Sequence, residues 1–367
     1  MASTVGVIFS SLNEQNIPEL TKVRSVGSIP YGGRYRLVDF TLSNMVNSGI
    51  TTVGMITKNN YQSLMDHLGS GKNWDLARKE GGLILLPPYS DESETLYNNR
   101  LDALKGATAF LRKAKQDFVV LADSDAVYKL DYSKVIDYHI KKNADITLVY
   151  HEHEVKNSHN ITFATNKDGR ISNLEINSSA NGIKNHYINV MVARTSFLLQ
   201  IIQQAIQCGY TSFEKDILSP GVKALKLYGY KHEGYYANID SLTSFFKANY
   251  DLLNKNIRNE IFGAHDVYTK VNDSAPAKFT DTAKVKNSLV SDGCLIEGTV
   301  ENCILFRGVK VGKGSVLKNC IIFSENIIGE NCNLQYVLSD KECIITDNRV
   351  LAGCEIQPYF INKGSRI

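Results

Sequence analysis

The side chains with the most potential for chemistry fall into a few groups. Asp123 and Asp125 are carboxylates one residue apart, just after the apolar run Asp117–Ala122. Carboxylates so placed suit a divalent cation, or a turn or helix cap, and the residues alone leave both readings open. Arg34 and Arg36 carry forked guanidinium donors that fit phosphate oxygens; as surface charges or partners of Asp39 they would have no ligand. His151, His153 and His159 lie close together, and strand alternation puts His151 and His153 on one face. With only Glu152 and Glu154 beside them, an exposed strand end explains this group better than a metal site. Of seven cysteines, six (Cys294, Cys303, Cys320, Cys332, Cys343 and Cys354) fall in the last 74 residues at intervals of 9 to 17. Zinc sites want pairs two to four residues apart, so these are expected to be reduced, buried, structural thiols.

The elements that must position these groups follow from composition and periodicity. The chain has 367 residues, 43% of them hydrophobic, which suggests about two domains. Forty-one basic against 38 acidic side chains leave a formal charge of +3. So small a surplus argues against a nucleic-acid groove or a polybasic membrane anchor. No apolar run reaches the ~20 residues of a membrane span, and the first residues lack a secretory signal pattern, so a soluble cytoplasmic protein is expected. Val5–Phe9, Thr51–Thr57, Gly82–Leu86, Asp117–Ala122 and Ile146–Tyr150 read as strands. Between them, Leu37–Val46, Gln62–Leu68, Thr95–Lys115 and Ser133–Lys142 read as helices. Such alternation predicts a Rossmann-like α/β domain over residues 1–255, with a parallel sheet covered by helices on both faces. Ligands of such sheets bind beyond the carboxyl ends of the strands, which directs attention to the loops after Phe9 and Ala122.

The tail reads differently. Val285–Val290 (VKNSLV) recurs as Val300–Leu305 (VENCIL) and Leu317–Ile322 (LKNCII), and more weakly from Leu334, in steps of 15, 17 and 17 residues. Aliphatic and small residues alternating with polar ones at this period predict a hexapeptide-repeat β-helix over residues 281–367, with 256–280 as linker.

An α/β half followed by a left-handed parallel β-helix, with the motifs that follow, resembles the glucose-1-phosphate adenylyltransferase (ADP-glucose pyrophosphorylase) family of bacterial glycogen biosynthesis. The motifs are Tyr31–Phe40 (YGGRYRLVDF), Leu42–Asn44, Asn47–Ile50, Tyr61–Leu64, His67–Gly71, Trp74–Leu76, Gly81–Gly82, Leu86–Tyr89 (LPPY), Tyr128–Tyr132 (YKLDY) and Lys215–Asp216. The resemblance covers nearly the whole chain. It implies a fold that joins ATP and glucose 1-phosphate into ADP-glucose and pyrophosphate, with Mg²⁺.

The departures from the family pattern bear on activity. In the phosphate loop, Ser11, Leu12 and Glu14 stand where the family has glycines, and Asn16 where it has arginine. Side chains there crowd the backbone cradle, and Glu14 repels phosphate. Val26 replaces a phosphate-side lysine, and Asn99-Arg100-Leu101 replaces a Gly-Thr-Ala turn that contacts nucleotide. Ile176 follows the retained Glu175 in place of the lysine that pairs with the sugar phosphate, and Asn238 replaces a metal-binding aspartate. Asp125 is the catalytic group the resemblance retains, a weak single ligand for Mg²⁺. Glu175, Lys215 and Asp216 match substrate-side positions, and Arg34 and Arg36 fall where the family has its activator-binding basic side chain.

Losing one preorganised donor typically costs ~10²–10³ in rate, and many are lost here. The resemblance is therefore to the degenerate, GlgD-type regulatory branch. It implies a non-catalytic or weakly catalytic subunit that associates with a catalytic adenylyltransferase chain in a hetero-oligomer, with a tetramer expected. No cofactor is needed for that role, Mg²⁺ serves only any catalysis, and a sugar-phosphate effector is possible. Two other readings remain: a slow but genuine nucleotidyltransferase using Asp125 and Mg²⁺, and a sugar-phosphate sensor. An acyltransferase working through the β-helix is disfavoured, because no histidine follows His265.

Overall fold

Apolar Thr4–Phe9 forms β1, the hub of a nine-stranded sheet in a computed structural model. The structure describes all residues except 1, 13, 59, 88–96, 98, 156–160, 178–181 and 264. Tyr89 of the LPPY motif, the start of the helix expected from Thr95, and His159 therefore lie outside the described residues.

The other strands of this sheet are β2 (Thr52–Ile56), β3 (Gly82–Leu86), β4 (Phe118–Asp123), β5 (Ile146–Val155), β6 (Ile161–Thr165), β7 (Ile171–Ile176), β8 (Gly182–Arg194) and β9 (Leu227–Lys231). The order is β7-β6-β8-β4-β1-β2-β3, and β5 pairs with both β8 and β9. The β4-β1-β2-β3 portion is parallel, as expected. Beyond it the sheet is mixed, a correction to the all-parallel expectation: β8 runs antiparallel to β4, β5 and β6. Among the described residues no helix intervenes between strands β5 and β8, and the chain returns antiparallel rather than by a crossover.

Alternating side chains feed two cores. Val5, Val7, Phe9 and Leu121 face one helix layer, and Ile8, Val120 and Ala122 face the other. The helices expected from Leu37 and Gln62 are α1 (Leu37–Asn47) and α2 (Gln62–Leu68), whereas the helix expected over Thr95–Lys115 is two: α3 (Arg100–Gly106) and α4 (Thr108–Ala114), interrupted at Ala107. The break follows Gly106, whose bare Cα lies against the Tyr97 hydroxyl.

The tail is a left-handed β-helix of three five-stranded parallel sheets. Its register stacks Val285, Val300, Leu317, Leu334 and Leu351, so the sequence repeats are the coils. Asn287, Asn302 and Asn319 turn the corner with φ of +43°, +52° and +53°. Their amides form a ladder, with Asn287 donating to Asn302 at 2.7 Å and Asn302 to Asn319 at 3.2 Å. The small residue after each asparagine lets the chain close over the core; Cys303 and Cys320 are fully buried. All seven cysteines are free, but Cys208 and Cys354 are exposed, so the expectation of buried thiols fails for Cys354.

The α/β domain and β-helix share a core. Helix α7 (Leu242–Asp251; α5 is Tyr132–Lys141 and α6 Thr195–Gln207) lays Phe245 against Phe323, with ring centroids 6.0 Å apart. Arg24 and Asp340, both buried, form an ion pair of 2.8 Å across the junction. The stretch 256–280 begins within helix α8 (Lys255–Phe262). It then crosses the α/β domain, where the Tyr268 N–H donates to Ser43 Oγ at 2.9 Å and Thr269 Oγ1 to Asp39 Oδ2 at 2.6 Å. Asp39 Oδ1 meets His67 Nε2 at 2.6 Å, and Asp39 Oδ2 also accepts the Arg36 N–H at 2.9 Å. No helix among the described residues is long and apolar enough to cross a membrane.

Candidate functional site

The parallel strands β1 and β4 end side by side, and the loops leaving them line a crevice of Phe9–Leu12, Val26 and Asp123–Asp125. Several backbone groups around it are taken. The Ser10 N–H donates to the Ile56 carbonyl at 3.2 Å, and Ser10 Oγ donates to the same oxygen at 2.7 Å. The Ser124 N–H donates to the Phe9 carbonyl at 3.1 Å, and the Gly27 N–H to the Ser10 carbonyl at 3.1 Å. Glu14–Asn16 coil into a single 3-10 turn, fixed by Thr21 Oγ1 donating to the Glu14 carbonyl at 2.8 Å. Ser11 and Val26 are buried, Leu12 packs against the core, and Asn16 points to solvent. Burial raises the Glu14 carboxyl above its ordinary range, while a hydrogen bond from Ser11 pulls it back. The Ser10, Gly27 and Ser124 amides, bonded to neighbouring carbonyls, are not available to wrap phosphate oxygens.

The floor of this crevice holds a group that the sequence did not flag as chemical. Asn99 caps α3 by accepting the Asp102 N–H at 2.9 Å, which aims Arg100 inward from the first helical turn. The Arg100 guanidinium lies 4.8 Å over the Phe9 ring. It pairs with Asp123 at 2.8 Å and with Glu214 at 3.5 Å. Arg100 is 6% exposed and Asp123 4%, so this is a desolvated pair. Burial pushes the Asp123 carboxyl up to about 7; Arg100 opposes the rise and Asp125 adds to it. Arg100 Nη1 and Asp123 Oδ1 have no hydrogen-bond partner among the described residues.

Asp125 is buried next to this pair, and its carbonyl accepts the Ile239 N–H at 2.8 Å. Antiparallel pairing of Tyr236–Asn238 with Ala126–Tyr128 sets Asn238 opposite Ala126, so the retained aspartate and the lost one do converge. The donor set suits Mg²⁺ poorly. Asp123 is committed to a guanidinium, Asn238 is neutral, and among the described residues no three or more His, Cys, Asp or Glu side chains are placed to hold a metal ion.

On the sugar side, Glu175 accepts from Lys184 Nζ at 2.7 Å, and the register sets Glu175, Thr162 and His186 in one row across β7, β6 and β8. Ile176 packs against the core. Asp216 accepts the Thr211 and Ser212 N–H groups, both at 2.9 Å, and these bonds hold its carboxyl below the ordinary range. Lys215 projects outward from the π-helical turn Glu214–Leu218, and the same turn sends Glu214 to Arg100.

Residues 16–174 match the nucleotidyl transferase family, and residues 275–357 the GlmU-like C-terminal hexapeptide family. The chain is 34% identical, over 98% of its length and 96% of the relative's, to the glycogen biosynthesis protein GlgD of Bacillus subtilis. It is 32% identical to the glucose-1-phosphate adenylyltransferase of Thermosipho africanus, over 87% of this chain and 78% of that one. It is 34% identical to the glucose-1-phosphate adenylyltransferase of Geobacillus stearothermophilus, over 79% and 77%. The chain belongs to the glucose-1-phosphate adenylyltransferase family.

Within that family's scaffold, the two arginines of the Tyr31–Phe40 motif part company. Arg34 is exposed and lies 5.7 Å over Tyr35. Arg36 is partly buried and donates through Nη1 to Ser63 Oγ at 2.8 Å. Burial pushes Arg36 down to about 10, with Asp39 opposing. Burial, then Arg36 and Arg24, push the Lys341 ammonium of the β-helix down to about 8. Arg24, Arg36 and Lys341 thus form a cationic cluster at the domain junction. Arg24, Lys341, Arg100 and Glu214 were missed as site residues in the sequence; the signal for Arg100 was its place at a lost nucleotide-contacting turn.

Proposed function

We propose that this chain is a regulatory subunit of glucose-1-phosphate adenylyltransferase in bacterial glycogen biosynthesis, non-catalytic or nearly so, acting by association with a catalytic chain. The observation that carries the reading is the buried Arg100–Asp123 pair on the floor of the crevice where nucleotide phosphates and metal would sit. A guanidinium fixed there by two carboxylates takes up the negative charge that would hold Mg²⁺, and a loop carrying the side chains of Ser11, Leu12 and Glu14 offers little bare backbone to a triphosphate. The scaffold around the crevice persists, including the shared core with the β-helix, which leaves surfaces as the working parts. The hetero-oligomer, with a tetramer as the expected form, and its cytoplasmic location belong to this proposal. So does a sugar-phosphate effector near Arg36 and Lys341, where two partly buried cations favour an anionic ligand beside the Arg24–Asp340 pair.

The test is reconstitution. The purified chain should form little ADP-glucose, co-elute with a catalytic family member, and change that member's rate or effector response. Separate elution, with kinetics equal to the catalytic chain alone, would remove the reading. If the isolated chain does turn over, loss of that turnover in Asp125→Ala would favour a slow enzyme instead.

A further inference from the structure

Four of the eight histidines in the sequence pack into one cluster on the sheet beside the crevice. His151 and His153 come from β5, His186 from β8, and His232 from just beyond β9. Ring centroids are 4.8 Å apart for His153 and His186, 5.9 Å for His151 and His153, and 6.0 Å for His151 and His232. Tyr236 covers the group, with centroids 5.5 Å from His151, 6.1 Å from His186 and 6.3 Å from His153. His186 and His232 are buried, whereas His151 and His153 reach solvent in part. Strand alternation did put His151 and His153 on one face; the contribution of β8 and of the chain after β9 was invisible to it.

Tyr236 begins a segment that leads directly to the β-helix. Tyr236–Asn238 pairs with Ala126–Tyr128, the Ile239 N–H holds the Asp125 carbonyl, and Ser241 caps α7. From α7, Phe246 meets Tyr336 at 6.3 Å and Thr243 Oγ1 donates to the Ile356 carbonyl at 2.9 Å.

We propose that the four-histidine cluster is a proton-operated latch: neutral rings hold the Tyr236–Asp251 segment down, and protonation releases it, loosening the tie between the two domains. Neutral imidazoles pack against one another, edge to face for His153 and His186 and tilted for the others, but imidazolium groups 5–6 Å apart repel. Burial lowers all four below the ordinary histidine value, led by His186, which is pushed down to about 3. The acids that face the cluster are Glu152 toward His151, Asp240 toward His153, and Glu260 toward His232. All three are exposed, so water screens them more than it screens the contacts between rings. Asp123 and Asp125 act on Tyr236 from the far side. Lys184, opposite His153 in the register, adds positive charge nearby and is paired with Glu175. Because these bases have lower affinity for protons when packed, the latched state is favoured above pH ~6.5 and loses ground as pH falls below it.

Hydrogen exchange on the full chain, corrected for intrinsic rates, reads this directly. Between about pH 7.5 and about pH 5.5, protection over 236–251 should fall roughly tenfold for each imidazole that gains its proton only on release. Protection of coil strands over 295–345 should hold. In His153→Gln/His186→Gln the fall should be much smaller, and His232→Gln gives an independent variant should the first fold poorly. His139→Gln, which removes a buried histidine outside the cluster, should behave as the wild type. A wild-type segment whose protection ignores pH, a loss spread evenly over the chain, or a cluster variant as acid-sensitive as the wild type would overturn the proposal.

Discussion

The asparagine ladder of the β-helix and the arginine in the crevice both fill positions that the chain must satisfy from within, but by opposite means. In the ladder, each coil presents the same residue to the next, and Asn302 meets neighbours 15 and 17 residues away. In the crevice, Arg100 meets Asp123 and Glu214, each supplied by a different element. The first arrangement is a sum of nearly identical neighbour contacts, as expected of a solenoid. The second is one pair with no repeat to replace it, in surroundings that punish an unmatched charge. The lesson is that a crevice at the ends of parallel strands can be filled from within: here a carboxylate on its wall is answered by a guanidinium of the protein.

The comparison can be broken most violently in the solenoid. Leu317→Asp puts a carboxylate into a fully buried coil position and should cost about 4 kcal/mol or more, seen as loss of the β signal in circular dichroism or insoluble expression. Next in size, Arg100→Ala strands Asp123 and should lower stability by ~3–5 kcal/mol in denaturant titration. Arg100→Met/Asp123→Leu removes both charges and should recover most of that loss. If the single and double variants prove equally unstable, the charge pair is not what matters at the floor. Arg24→Ala tests the junction pair in the same way; the expected loss is about 3 kcal/mol, and Asp340→Ala should do little further harm in that background. The smallest effect belongs to a corner. Asn319→Ala should cost ~1 kcal/mol because its φ is positive, whereas Asn319→Gly should stay near neutral in thermal melts.

These two regions also differ in how far sequence reasoning reached. Val285, Val300, Leu317 and Leu334 align in the structure as they align by eye, because a coil's neighbour is always the next repeat. The absences in the phosphate loop could likewise be read position by position. The destination of Arg100 could not, since it depends on Asn99 capping a helix, on Phe9 ending a strand, and on a π-helical turn that delivers Glu214. The direction of β8 was hidden for the same reason: it is set by the β6–β7 hairpin before it and not by its own composition. His151 and His153 were visible as a pair, yet their companions came from distant strands.

Asp39 ties distant parts of the molecule to one another. One carboxylate receives the Arg36 backbone, the His67 ring and the Thr269 hydroxyl, so three stretches far apart in sequence converge on two oxygen atoms. Thr269 belongs to the length of chain that leads into the first coil. A displacement of Arg36 would therefore be felt at the entry to the first coil through one acidic group.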